Sequence, residues 1–150
     1  MQATRTGSRR FHDALEDEHV RLEETLAGLE WALRTGATDT ARTQLATFEA
    51  GLNRYVHREE RLLFPVLEAL ALTRFAPTVR MRGEHRSLRK LAAAVRDSVA
   101  RGDGPRGIET LGMLRSVFLL HIAKEELIIY PLLDHAVSST AEEAFLQAIL

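Results

Sequence analysis

Tyr55-Val56-His57-Arg58-Glu59-Glu60-Arg61-Leu62-Leu63-Phe64-Pro65 returns 66 residues later as His121-Ile122-Ala123-Lys124-Glu125-Glu126-Leu127-Ile128-Ile129-Tyr130-Pro131. Both stretches carry a glutamate pair, an aliphatic pair and an aromatic-proline step at matching offsets. Working outward, the same shift carries Glu18-His19 onto Glu84-His85, Leu22 onto Leu88, Leu52 onto Phe118, Leu67 onto Leu133 and Gly36 onto Gly102. A repeat that preserves an apolar frame together with His and Glu on it implies a duplicated helical hairpin with a polar site in its core.

The frame is helical throughout. Leu15, Val20, Leu22, Leu26, Leu29 and Leu33 sustain helical spacing up to Thr35-Gly36, and a second stripe with three- and four-residue steps runs through Leu45, Phe48, Leu52, Tyr55, Glu59, Leu62 and Val66. A third helix carries Met81, His85, Leu88, Leu91 and Val95. After the Arg101-Gly102-Asp103-Gly104-Pro105 break, a fourth carries Leu111, Leu114, Phe118, His121, Glu125, Ile128 and Leu132, whose apolar members are expected to point inward. Pro65 and Pro131 each remove a helical hydrogen bond while the apolar pattern continues, which predicts a kink at each. Ser139 and Glu142 resemble a capping box for a last short helix. The expectation is an all-α fold: an up-down antiparallel four-helix bundle over residues 9–136, after a tail at 1–8 and before a short C-terminal helix, 137–150, packed on the bundle.

Composition narrows the function. One domain suits 150 residues that are 45% hydrophobic and 27% charged. A net charge of −1 offers no footprint for nucleic acid, and Arg80, Arg82, Arg86 and Arg89 read as a solvated helix face. No apolar run is long enough for a membrane span, and no secretory leader pattern is evident, so a cytoplasmic protein is expected. With no cysteine, thiolate metal sites and iron-sulfur clusters are excluded.

The chemistry follows from where the polar residues fall. His121 and Glu125 stand four apart and share a helix face, and the repeat places Tyr55 and Glu59 in the same relation. His19 precedes Tyr55 by 36 residues and His85 precedes His121 by the same number, so equal spacings in a hairpin bring both pairs to one level. Three imidazoles, one phenol and two carboxylates then converge. Burying two carboxylates without compensating charge costs several kcal/mol each, roughly, and cations remove that cost. Mixed imidazole and oxygen donors suit iron first, then manganese or zinc, and a Glu from each half can bridge two ions.

The ordered set His19, Tyr55 to Pro65, Glu84-His85 and His121 to Pro131 resembles the hemerythrin-like, or HHE cation-binding, domain over nearly all of residues 12–136. That resemblance implies a four-helix bundle around a non-haem di-iron centre, two iron ions (Fe2+/Fe3+) with a bridging oxo or hydroxo group. By the same resemblance His19 and Tyr55 would serve one iron, His85 and His121 the other, and Glu59 and Glu125 would bridge them. The chain departs from the family where Tyr55 stands in place of a His. His57 lies two residues away, about 200° around the helix, leaving a shifted His57 and Glu60 pair as the alternative. It departs again at Arg89, one turn after His85, where oxygen carriers of the family have a further His; Glu23 holds the matching place after His19, which leaves two readings of Glu23 and Arg89, an ion pair with each other or a supporting role behind the ligands.

Fewer terminal ligands leave an open position on each iron, which suits binding and reacting with peroxide, oxygen or nitric oxide, a catalase-like activity included, more than reversible oxygen carriage. The alternative is an iron or oxygen sensor or an iron-storage module without turnover, and a further one is an interaction bundle whose site never fills. Glu60 and Glu126 would point about 100° from the bridging residues as rim charges or proton relays, with Lys124 facing solvent. His12, on the stripe of His19, reads as a surface residue, His135 as too distant for the site, and Trp31, Phe48 and Phe118 as core.

Overall fold

The computed structural model describes residues 10–69, 77–136 and 147–148; the expected tail, most of the expected C-terminal helix with Ser139 and Glu142, and the His12 side chain lie outside the description. Among the described residues every element is helical. Helix α1 spans Arg10–Thr35, α2 Thr38–Arg58, α3 Phe64–Ala69, α4 Pro77–Arg101, α5 Gly104–Lys124 and α6 Tyr130–Ala136. Short π-helical turns, Glu59–Leu63 and Glu125–Ile129, join α2 to α3 and α5 to α6 without a break.

Each hairpin closes in the same way. Gly36 and Gly102 end their helices at φ 71° and 70°, a left-handed conformation that a side chain disfavours. The amides that follow, on Ala37 and Asp103, reach back to the Ala32 and Ser98 carbonyls at 2.9 Å each, which satisfies the helix ends. Such tight closures make α1 and α2, and α4 and α5, neighbours. Helix α1 also packs on α5, and α2 on α4, giving each of the four long helices two long neighbours in a helical bundle.

The apolar interior divides in two. One cluster, with Leu29, Phe48, Leu88, Leu114 and Phe118, fills the end near the hairpin turns. The other, with Leu15, Leu63, Phe64, Met81, Ile129, Tyr130 and Leu133, fills the opposite end. The polar residues of the repeat lie between them.

The inward positions near the two prolines, and those of two apolar residues on α1, differ from expectation. Each proline at which a kink is expected follows a π-helical turn. The turn before each widens by one residue, so that the Phe64 amide bonds to the Glu59 carbonyl and the Tyr130 amide to the Glu125 carbonyl, five residues back. This relieves the clash of a proline ring with the carbonyl four residues earlier. The extra residue shifts the register by one position. Ile128, expected inside, is 47% exposed and Leu132 only half-buried, while Ile129 and Leu133 take the inward places. Likewise Leu62 and Val66 yield to Leu63 and Leu67. Val20, placed on the apolar stripe, and Trp31, read as core, are 47% and 60% exposed, because α1 turns that face to solvent.

Candidate metal centre

The polar layer draws on all four long helices. His19 comes from α1, Tyr55 from α2, His85 from α4 and His121 from α5, while Glu59 and Glu125 open the two π-helical turns; all six are buried. The Glu59, His85, His121 and Glu125 donors lie within 4.8 Å of one another. His85 Nε2 is 2.9 Å from Glu59 Oε2 and 3.2 Å from His121 Nε2, and His121 Nε2 is 2.8 Å from Glu125 Oε1. The other carboxylate oxygen of Glu125 faces the opposite way. It lies 3.1 Å from His19 Nε2 and accepts hydrogen bonds from the Tyr55 and Tyr130 hydroxyls.

Two observations show that these residues fit a metal ion. Atoms held about 2.1 Å from one ion lie roughly 3.0 to 3.4 Å apart, close to the spacings above. Hydrogen bonding can produce similar spacings, but it does not account for everything. Glu59 Oε1 is buried with no hydrogen-bond partner among the described residues, and Glu125 Oε1 has only its 2.8 Å approach to His121 Nε2. Orphaned buried carboxylate oxygens are costly unless a cation meets them.

Each imidazole is also gripped from behind. His85 Nδ1 is 2.7 Å from Glu60 Oε1, His121 Nδ1 3.0 Å from Glu84 Oε2 and His19 Nδ1 3.4 Å from Glu126 Oε1. A carboxylate on Nδ1 selects the tautomer whose Nε2 lone pair points inward, as metal-bound histidines require. Glu84 is itself paired with Lys124, and the repeat reproduces this pair as Glu18 with Arg58. In the first half no imidazole stands at Tyr55 for Glu18 to hold.

Burial opposes charge in this layer, and the neighbours decide who carries it. Burial lowers the His121 pKa, yet Glu125 and Glu59 outweigh it and push it up to about 11. Burial favours a neutral Glu125, yet His121 and His19 hold it well below the usual carboxylate range. Glu59 is raised by burial and by Glu125. The Tyr55 and Tyr130 phenols are held well above their ordinary value, by burial first and then by Glu125 and Glu59. Without a cation, a proton on His121 therefore balances the cluster.

The remaining sequence candidates fall outside this layer or at its edge. His57 is exposed in a groove of about 700 Å³ between α1 and α2, with Arg21, Arg54 and Arg58. Glu60 sits on His85, separate from His57. Glu23 is half-buried, and Arg89 is exposed and donates to Asn53 at 3.3 Å instead of pairing with Glu23. Lys124, expected to face solvent, is only 30% exposed and bonds Glu84. Sequence reasoning missed Glu84 and Tyr130 as parts of the site. Their signal was the repeat itself, which paired each with a residue of the other half, but their directions depend on helix packing and on the π-helical turn.

The family model for the hemerythrin HHE cation-binding domain matches residues 10–133. Comparison with curated proteins and with solved structures gives no match.

Proposed function

The chain belongs to the hemerythrin HHE cation-binding domain family, and we propose that it is a non-haem di-iron protein that binds and reacts with a small oxidant: peroxide, oxygen or nitric oxide. In this reading residues 9–136 form the antiparallel four-helix bundle. His85 and His121 would hold one iron, His19 and Tyr55 the other, and Glu59 and Glu125 would be shared between them, with manganese or zinc as substitutes. The observation that carries it is Glu125, whose two buried oxygens face different donor sets, Oε1 toward His121 and Oε2 toward His19 and Tyr55.

Iron held here would supply redox and Lewis-acid chemistry. The protein supplies orientation and dryness. Glu60, Glu84 and Glu126 fix the ring planes, and the apolar clusters on either side exclude bulk water. Before an ion enters, the Tyr55 hydroxyl donates to Glu125 Oε2, and this contact holds the phenol oxygen toward the place the second ion would take.

A sensor or storage role is the second reading. It is favoured by the spread of the site over all four long helices, through which metal occupancy would shift the stability of the whole bundle. The deciding experiment is elemental analysis of iron-reconstituted protein, followed by peroxide, oxygen and nitric oxide consumption assays on the same sample. Two irons per chain with many turnovers per site support the first reading. Two irons without turnover, but with a metal-dependent melting shift, move the assignment to the second, and no iron uptake sinks both.

A further inference from the structure

The internal repeat provides a control for one buried hydroxyl. Tyr130 and Phe64 are repeat mates, each follows a π-helical turn, and they are 1% and 0% exposed. Each ring stacks on the histidine of a long helix, and those histidines are repeat mates too. Phe64 lies over His85 with ring centroids 5.6 Å apart and 7° between planes; Tyr130 lies over His19 at 6.0 Å and 16°. A plain phenyl ring therefore does this packing in one half, and burying a hydroxyl in the other carries a desolvation cost that packing does not require.

That hydroxyl has a defined target. Tyr130 Oη is 3.1 Å from His19 Nε2 and 3.2 Å from Glu125 Oε2, and those two atoms are 3.1 Å apart. The triangle has the spacing of three donors around one ion. Tyr55 Oη joins the same Glu125 oxygen. One face of the layer thus offers one imidazole, two phenols and a carboxylate oxygen; the other offers two imidazoles with Glu59 and Glu125 Oε1. Hard oxygen donors favour a trivalent cation, whereas imidazole with carboxylate serves divalent iron, manganese or zinc.

We propose that Tyr130 is a metal ligand, and that His19, Tyr55, Tyr130 and Glu125 form an oxygen-rich half-site for a trivalent cation beside a divalent half-site built on His85, His121 and Glu59. The proposal rests on the metal-binding reading above and adds a valence preference to it. When a trivalent ion enters, the O–H bonds of Tyr55 and Tyr130 break as O–metal bonds form, and both protons leave to solvent. No electron is transferred in this step. Tyr130 reaches the site only because the widened turn after Glu125 brings a residue five positions on back toward the same face.

The test is loading of metal-free full-length protein with zinc(II) and gallium(III) together, from citrate-buffered solution, with metal content read by elemental analysis. Ferric loading, read by visible absorption, runs in parallel. Wild-type protein is expected to take one zinc and one gallium per chain and to show a tyrosinate-to-iron band. Tyr130→Phe is expected to melt as the wild type does when metal-free, to keep its zinc, to bind gallium at least tenfold more weakly and to shift the ferric band. Tyr55→Phe serves as a second variant with the same expected pattern. Gallium affinity and ferric band unchanged in Tyr130→Phe would overturn the valence proposal and leave the family reading standing. Wild-type protein that takes up neither ion would overturn both.

Discussion

His85 Nε2 and His121 Nε2 face each other at 3.2 Å, while the opposite nitrogen of each ring is held by a carboxylate, Glu60 behind His85 and Glu84 behind His121. Two inward lone pairs at that distance repel unless a proton or a metal ion lies between them. The cluster also holds Glu59 and Glu125, so a cation is favoured by every neighbour.

The competition between proton and metal can be measured. In the metal-free fold Glu125 and Glu59 push the His121 pKa up to about 11 from its ordinary 6.5, against the effect of burial. A raised pKa stabilises the fold fully below the unfolded value, and that contribution is lost as pH climbs through the folded one. At neutral pH a metal must therefore displace this proton. Zinc titration by calorimetry in buffers of different protonation enthalpy is expected to show release of at least one proton per chain, and affinity is expected to rise with pH between those two values. Binding with no proton release would contradict this account of His121.

Glu84 lies behind His121 and is tied to Lys124. Glu84→Ala removes the group that fixes the imidazole, and metal affinity is expected to fall about 10- to 100-fold in chelator competition. Glu84→Gln keeps an acceptor for Nδ1–H and is expected to recover part of the loss. Glu109, an exposed residue paired with Arg106, provides the control: Glu109→Ala is expected to leave affinity unchanged.

Glu59 carries a raised pKa, from burial first and then from the charge on Glu125. An ionised Glu59 therefore destabilises the metal-free fold above the ordinary carboxylate range. Glu59→Gln is expected to raise the metal-free thermal midpoint by about 2–4 °C, on the order of 1 kcal/mol, while reducing metal uptake. A lower midpoint would mean that the contact with His85 outweighs the burial of charge.

Phe118 meets Phe48 edge-on at 6.0 Å and Tyr55 at 6.4 Å, so it links the apolar cluster to the site. Truncation leaves a cavity beneath Tyr55. Phe118→Ala is expected to cost about 3–5 kcal/mol in denaturant unfolding of the metal-free protein. A loss well under that range would show that the neighbouring side chains collapse into the space.

The candidate site was legible in the sequence where one residue type at one helical spacing suffices. His121 and Glu125 share a face by their four-residue step, and the repeat transfers that relation to Tyr55 and Glu59. The outer carboxylates were not legible in that way. Glu84 meets His121 across 37 positions and Glu126 meets His19 across 107, and no helical period relates residues on different helices. The inward faces of α3 and α6 were misread for a local reason: a 3.6-residue period assumes the same turn throughout, and each proline is preceded by a wider one.

By itself the sequence determined the helical repeat, the glycines that mark its breaks and a core set of histidines and glutamates, because periodicity and residue chemistry are local properties that survive without coordinates. Tertiary structure decided which carboxylate stands behind which ring, that Ile129 and Leu133 rather than Ile128 and Leu132 fill the core, and that the Tyr130 hydroxyl joins His19 and Glu125. Those outcomes depend on one extra residue per widened turn and on contacts between helices far apart in the chain. Packing, not propensity, selects them.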